Sequence, residues 1–175
     1  MIPEHVDRVL AWTAGAHLLV ALGCALAIAL APDASPILGI HPALKPLKFG
    51  VSIAIFLATM AMVVPMLSIG AAPRLAIAIA LSATMILEML PIAVQAARGT
   101  TSHFNQDGQA NTALWRLMLV AVVVMTLVMI VVALVATVRP LLGPQARPLD
   151  GLAATAWRFR RLRHQPAARH LRYYR

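Results

Sequence analysis

The chain has 175 residues, 61% of them hydrophobic and 12% charged, with a mean hydropathy of +0.80. Soluble domains carry about a quarter charged residues, so the composition excludes an ordinary soluble domain and points to one membrane domain. The net charge of +9 is lopsided, nine of the fifteen Lys and Arg residues following Val138, which fits a lipid-facing segment and not a nucleic-acid-binding surface.

Crossing the roughly 30 Å hydrocarbon layer takes about 20 apolar residues in a helix, and four stretches qualify. The first is Val9–Ala31. Its Ala29-Leu30-Ala31 has the small-x-small form of a cleavage site. The apolar run is nevertheless too long for a signal segment, Glu4 and Asp7 stand beside Arg8, and Pro32 follows, so an uncleaved span is expected. After Pro32–Pro36 comes the second, Leu47–Ile69; after Gly70–Pro73 the third, Leu75–Ala97; after Gly99–Thr112 the fourth, Leu117–Val138. No two spans are copies. Cys24, the one cysteine, excludes an internal disulfide and a cysteine-based zinc site.

Each span carries polar residues at helical spacing: Thr13, His17 and Cys24; Lys45, Lys48, Ser52 and Thr59; Thr84, Glu88, Gln95 and Arg98; Thr112, Arg116, Thr126 and Thr137. Steps of three, four or seven residues share a helix face. The fold class expected is therefore an all-α, integral membrane four-helix bundle with these stripes inward, followed by a basic tail over 141–175. Buried hydroxyls and amides would join the helices at about 0.6–2 kcal/mol each.

Glu88 stands apart. At about nine residues from the end of its span it lies roughly 13 Å deep at 1.5 Å per residue. An ionised group there costs about 2.5 kcal/mol or more, and intramembrane ionisable residues are functional-site candidates. Depth arithmetic places Thr59 and Thr126 at its level and His17 about a turn deeper. Glu88 and His17 are thus the proton-coupling candidates, against the alternatives of a neutral, hydrogen-bonded acid and a satisfied interior histidine. Pro91 frees the Leu87 carbonyl nearby.

With four spans both termini share one side. That side carries Arg8, Arg74 and the nine tail arginines, against Lys45, Lys48, Arg98 and Arg116 on the other. Eleven against four places both termini in the cytoplasm of a bacterial inner membrane. The outward side then holds two polar runs. In His41–Phe49, Pro46 suits a helix's opening turn and two lysines strengthen the anion preference of a helix N-terminus. In Gln95–Asn105, Gly99 ends a helix and Ser102, His103 and Asn105 suit a folded loop. Lys45, Lys48, Gln95, Arg98, His103 and Asn105 are the candidates for binding an anion or lipid headgroup; the plainer account is snorkelling to lipid phosphate.

Lys45-Pro46-Leu47-Lys48-Phe49, Glu88-Met89 and Gln95-Ala96-Ala97-Arg98-Gly99-Thr100-Thr101-Ser102-His103-Phe104-Asn105 resemble the motifs of a group of uncharacterised small bacterial membrane proteins. The likeness covers most of residues 40–120. It implies that the two runs form one site and implies no activity. That group often has an Asp a few residues after the Asn, where this chain has Asn111, with Asp107 closer in.

The tail interleaves aromatic and basic residues through Trp157–His164, as an interfacial segment on anionic lipid does. No phosphate-cradling Gly-rich loop, His-Glu-x-x-His pair or Gly-x-Ser-x-Gly elbow is present, which excludes common ATPase and protease classes. No metal or cofactor is expected. His17 and His103 lie at depths too different to share a haem, and the nine Met residues serve as packing. The leading expectation is binding or transport of an anionic small molecule or lipid headgroup, with a homo-oligomer completing the pathway. The alternatives are a membrane-embedded enzyme on a lipid or quinone-like substrate, and an accessory subunit of a membrane complex.

Overall fold

The computed structural model describes residues 4–138; the expected interfacial tail lies outside the described residues. Four helices fill the described chain: α1 Glu4–Leu30, α2 Leu44–Val63, α3 Ala71–Ala97 and α4 Gln109–Val138. α2 closes in a 3-10 turn over Val64–Met66, where Pro65 cannot donate to an α-helical bond. All four are long and apolar enough to cross a membrane, with mean hydropathy from 2.0 to 3.2. Exposed Leu19, Leu26, Ile55, Ile86, Leu90, Leu127 and Leu134 cover their outer faces, as lipid contact allows. This is an all-α, multi-pass architecture.

The helices begin earlier than the apolar runs suggest. α4 starts at Gln109, eight positions before Leu117, because its first two turns are polar yet helical. α2 starts at Leu44 with Pro46 in its first turn, so Lys45 and Lys48 are helical residues. α3 runs unbroken through Pro91.

α1 packs along α2 at close range. At Gly50 an added Cβ would sit 2.9 Å from the His17 carbonyl oxygen and 3.0 Å from Ala21 Cβ, so the hydrogen side chain sets the separation. α3 contacts α1, α2 and α4, whereas α4 packs chiefly on α3. The apolar core occupies the half of the bundle that holds the start of α1 and the end of α4, where Val6, Leu10, Leu57, Val64, Leu81 and Val132 meet. In the other half the buried face of α3 turns polar, with Glu88 and Gln95 on the helix and Ser102 and Asn105 just beyond.

The expectation that all four polar stripes face inward holds for α1 and α3 and fails for α2 and α4. His17, Thr84, Glu88 and Gln95 are buried, but Lys48, Ser52, Thr59, Arg116, Thr126 and Thr137 are exposed. The exposed threonines satisfy themselves: Thr59 donates to Ile55 O at 2.8 Å, Thr126 to Val122 O at 2.8 Å and Thr137 to Leu134 O at 2.9 Å. A hydroxyl that bonds its own preceding turn can face lipid, so threonine spacing alone does not identify an inner face.

Candidate functional site

Two connections close the end of the bundle opposite the start of α1 and the end of α4. In the α1–α2 connection, Ile37 and Ile40 exchange backbone bonds across Leu38 (φ 49°) and Gly39 (φ 76°), a tight turn with both central residues left-handed. His41 accepts the Ala43 N–H at Nδ1, 3.1 Å away, and so presents Nε2–H to Ala31 O at 3.0 Å. In the α3–α4 connection, Gly99 (φ 67°) ends α3, with Gly99 N–H on Ala96 O and Thr100 N–H on Gln95 O. Asn105 then folds the loop back, donating to Thr100 Oγ1 at 3.0 Å and Thr101 O at 2.9 Å while accepting from Asp107 N–H at 3.1 Å.

That fold-back drops Ser102 and His103 between α2 and α3. Lys45 Nζ donates to Ser102 Oγ at 2.6 Å and to His103 Nδ1 at 3.0 Å, and Ser102 Oγ lies 3.1 Å from the same nitrogen. An ammonium can only donate, so Nδ1 is the acceptor and the imidazole proton resides on Nε2. Nε2 faces Glu88 Oε1 at 3.4 Å. The result is a series from Lys45 through His103 to Glu88, hydrogen-bonded at its first step and in close approach at its second, in which a neutral imidazole separates a cation from a carboxyl group. Phe49 and Trp115 flank the ring, each with its centroid 5.8 Å from that of His103. Burial first, and then the Lys45 charge, push the His103 imidazole below its ordinary pKa, which fits the neutral ring that the bonding requires.

The series joins two openings. Lys45, Ser102 and Thr101 line a cavity of about 150 Å³ under the Ile37–Ile40 turn, with Ile92 and Ala96 behind. Glu88 lines a cleft of about 260 Å³ between α2 and α4, floored by Met85. Glu88 is 5% exposed, and its second oxygen, Oε2, is buried without a hydrogen-bond partner.

Not every candidate joins this group. Arg98 bonds Gln95 Oε1 at 2.9 Å and Asn111 Oδ1 at 3.0 Å, and Gln95 Nε2 reaches Asn111 Oδ1 at 3.0 Å. These three tie the end of α3 to the start of α4. Asn105 shapes the loop, and Lys48 is exposed on α2. His17 lies elsewhere, its Nδ1 2.8 Å from Thr13 O and its Nε2 3.3 Å from Met85 O. Sequence reasoning gave Ser102 only a loop role and gave Trp115 none, and both stand at the centre of the cluster. The adjacent Ser-His pair was the available signal for the first, and an aromatic one helical turn from Asn111 for the second.

No family model, curated protein or solved structure matches the chain.

Proposed function

We propose that the protein binds an anionic small molecule or lipid headgroup in the cavity beside Lys45, and couples that binding to proton movement through His103 and Glu88, as the binding step of a transporter does. The observation that carries the reading is the series from Lys45 through His103 to Glu88, because it runs from a cation at a cavity mouth to a carboxyl group inside the bundle. Lys45 has three N–H donors, and the bonds to Ser102 and His103 use two. The third is available to a ligand oxygen. An anion there would draw the Lys45 charge away from His103, ease protonation of the ring and so alter its hold on Glu88. Exposed Lys48 and Arg98 add positive potential near the mouth. We assign this end to the outer face of a bacterial inner membrane, since eleven basic residues on the terminal side against four here favour cytoplasmic termini. Four spans are few for a closed pathway, so the working form is a homo-oligomer in anionic lipid.

Native mass spectrometry of protein extracted with its own lipid tests the reading. Wild type and Lys48→Ala should retain a bound anion or headgroup, and Lys45→Ala should lose it. A bare monomer, or one travelling with another protein, would instead favour an accessory subunit. Glu88→Gln should keep the fold and the ligand, because an amide of the same shape fills its place, and should weaken the pH dependence of binding, whereas His103→Gln, which removes the titrating ring, should lose most of it.

A second reading rests on Ser102. Its Oγ is beside His103 Nδ1 and the far ring nitrogen meets Glu88, an order of groups used in nucleophilic catalysis. Covalent labelling of Ser102 by a fluorophosphonate, lost in His103→Gln, would favour an embedded enzyme acting on a lipid.

A further inference from the structure

The cleft on the far side of Glu88 has its own chemistry. Because α4 packs chiefly on α3, it leaves a gap beside α2. Phe49 and Phe56 form one wall, Val122 and Met125 the other, Ser52 lies on the α2 wall and Glu88 on the floor. Ser52 and Val122 are exposed on the outer surface, so the gap opens sideways, toward the hydrocarbon layer. At about 260 Å³ it exceeds the roughly 30 Å³ share of one water molecule several times over. The walls are apolar, and the one buried polar atom without a bond in the cleft is Glu88 Oε2. A buried carboxyl oxygen without a partner is destabilising, and at this depth bulk water does not reach it from the lipid side.

We propose that the α2–α4 cleft is a binding site for a membrane-soluble alcohol or phenol, whose apolar body lies between the phenylalanines and Val122 and whose hydroxyl bonds Glu88 Oε2. A hydroxyl is the head group that fits, since it donates to the Glu88 carboxylate without bringing a charge of its own into the cleft. An anionic head would face the carboxylate directly, and a cationic head would have to leave water entirely to reach it; both are disfavoured. A hydrocarbon tail fills the cleft and leaves Oε2 unpaired. The occupant therefore comes from the bilayer and differs from the anion proposed for the opposite cavity, and this assignment stands independently of that one. Together the two place the His103 relay between a lipid-side ligand and a water-side ligand.

Photolabelling of the full chain in lipid nanodiscs tests this, using a diazirine-bearing hexadecanol and its methyl ether. The alcohol should label Phe56, Val122 or Met125, and excess hexadecanol should remove the label. The ether, which cannot donate, should label about tenfold less, the worth of one hydrogen bond to a charged group. Glu88→Leu should lose the preference for alcohol over ether. Val122→Trp leaves Glu88 in place, fills the cleft and should lose the label altogether; the alcohol–ether comparison in wild type needs no variant. Equal labelling by both probes would overturn the proposal, making the cleft an acyl-chain groove. A label that survives Val122→Trp, no label at all, or photocross-links joining α2 of one copy to α4 of another would overturn it too.

Discussion

At the scale of single residues, His103 is the group on which the cluster turns. It faces Glu88 from α3, Lys45 from α2 and Ser102 beside it, with Phe49 and Trp115 against its ring. Burial and the Lys45 charge hold its pKa below the ordinary imidazole value of about 6.5. In the window just below that value the unfolded chain binds a proton that the folded site refuses, so ν_U exceeds ν_N and stability falls as pH falls. Above that window the imidazole is neutral in both states and contributes no slope. Melting curves in nanodiscs should therefore show wild type losing thermal stability between pH 7 and pH 5 more steeply than His103→Gln. Parallel curves would mean that the ring protonates freely and that the relay geometry is wrong. Glu88 poses the complementary question, because one of its oxygens faces His103 Nε2 at 3.4 Å and the other is buried without a partner. A carboxyl group so placed stays open to a further partner, and both functional proposals start from it.

At the scale of helices, the closest packing is at Gly50. Gly50→Ala sets a methyl group 2.9 Å from a backbone oxygen that belongs to α1 and cannot rotate away. The helices must separate, and overpacking of this kind costs about 1–3 kcal/mol. Thr59→Val, on the exposed side of the same helix, removes only a bond to its own preceding turn and should stay within about 0.5 kcal/mol. Denaturation in mixed micelles of increasing SDS fraction measures both, and a Gly50→Ala protein as stable as wild type would refute the close α1–α2 approach. The elements themselves were legible because the bilayer demands about 20 apolar residues per helix, and the four runs announce themselves. Their starts were not. Hydropathy marks where a helix enters hydrocarbon and says nothing about the polar turns before it, which is why α4 begins at Gln109. Inner and outer faces were legible on α3, whose Glu and Gln must be satisfied from another element, and were misread on α2 and α4, whose threonines satisfy themselves.

At the scale of the whole molecule, the candidate residues could be named from sequence but not grouped. Lys45 and His103 stand 58 positions apart, and what joins them is the return of the α3–α4 loop, set by the left-handed Gly99 and Phe104 and by the Asn105 bonds. Spacing rules act within a helix and carry no information across such a loop, so Arg98 was grouped with the lysines when its bonds go to Gln95 and Asn111. The arrangement does fix one global relation. With four helices alternating in direction, the α1–α2 and α3–α4 connections share one end of the bundle and the α2–α3 connection lies at the other. Which end faces out depends on the basic residues, and cysteine accessibility decides it. Cys24, half-buried in α1, would first be replaced by Ala. Single cysteines at exposed Ser35 and Gln106 should then react with an impermeant maleimide added to intact cells, and one at exposed Ala72 only after permeabilisation. If Ser35 and Gln106 react only after permeabilisation, the Lys45 cavity opens to the cytoplasm, and its anion must be sought among intracellular solutes. Opposite behaviour of Ser35 and Gln106 would contradict the four-span path itself, since no even-numbered bundle puts those two connections on different sides.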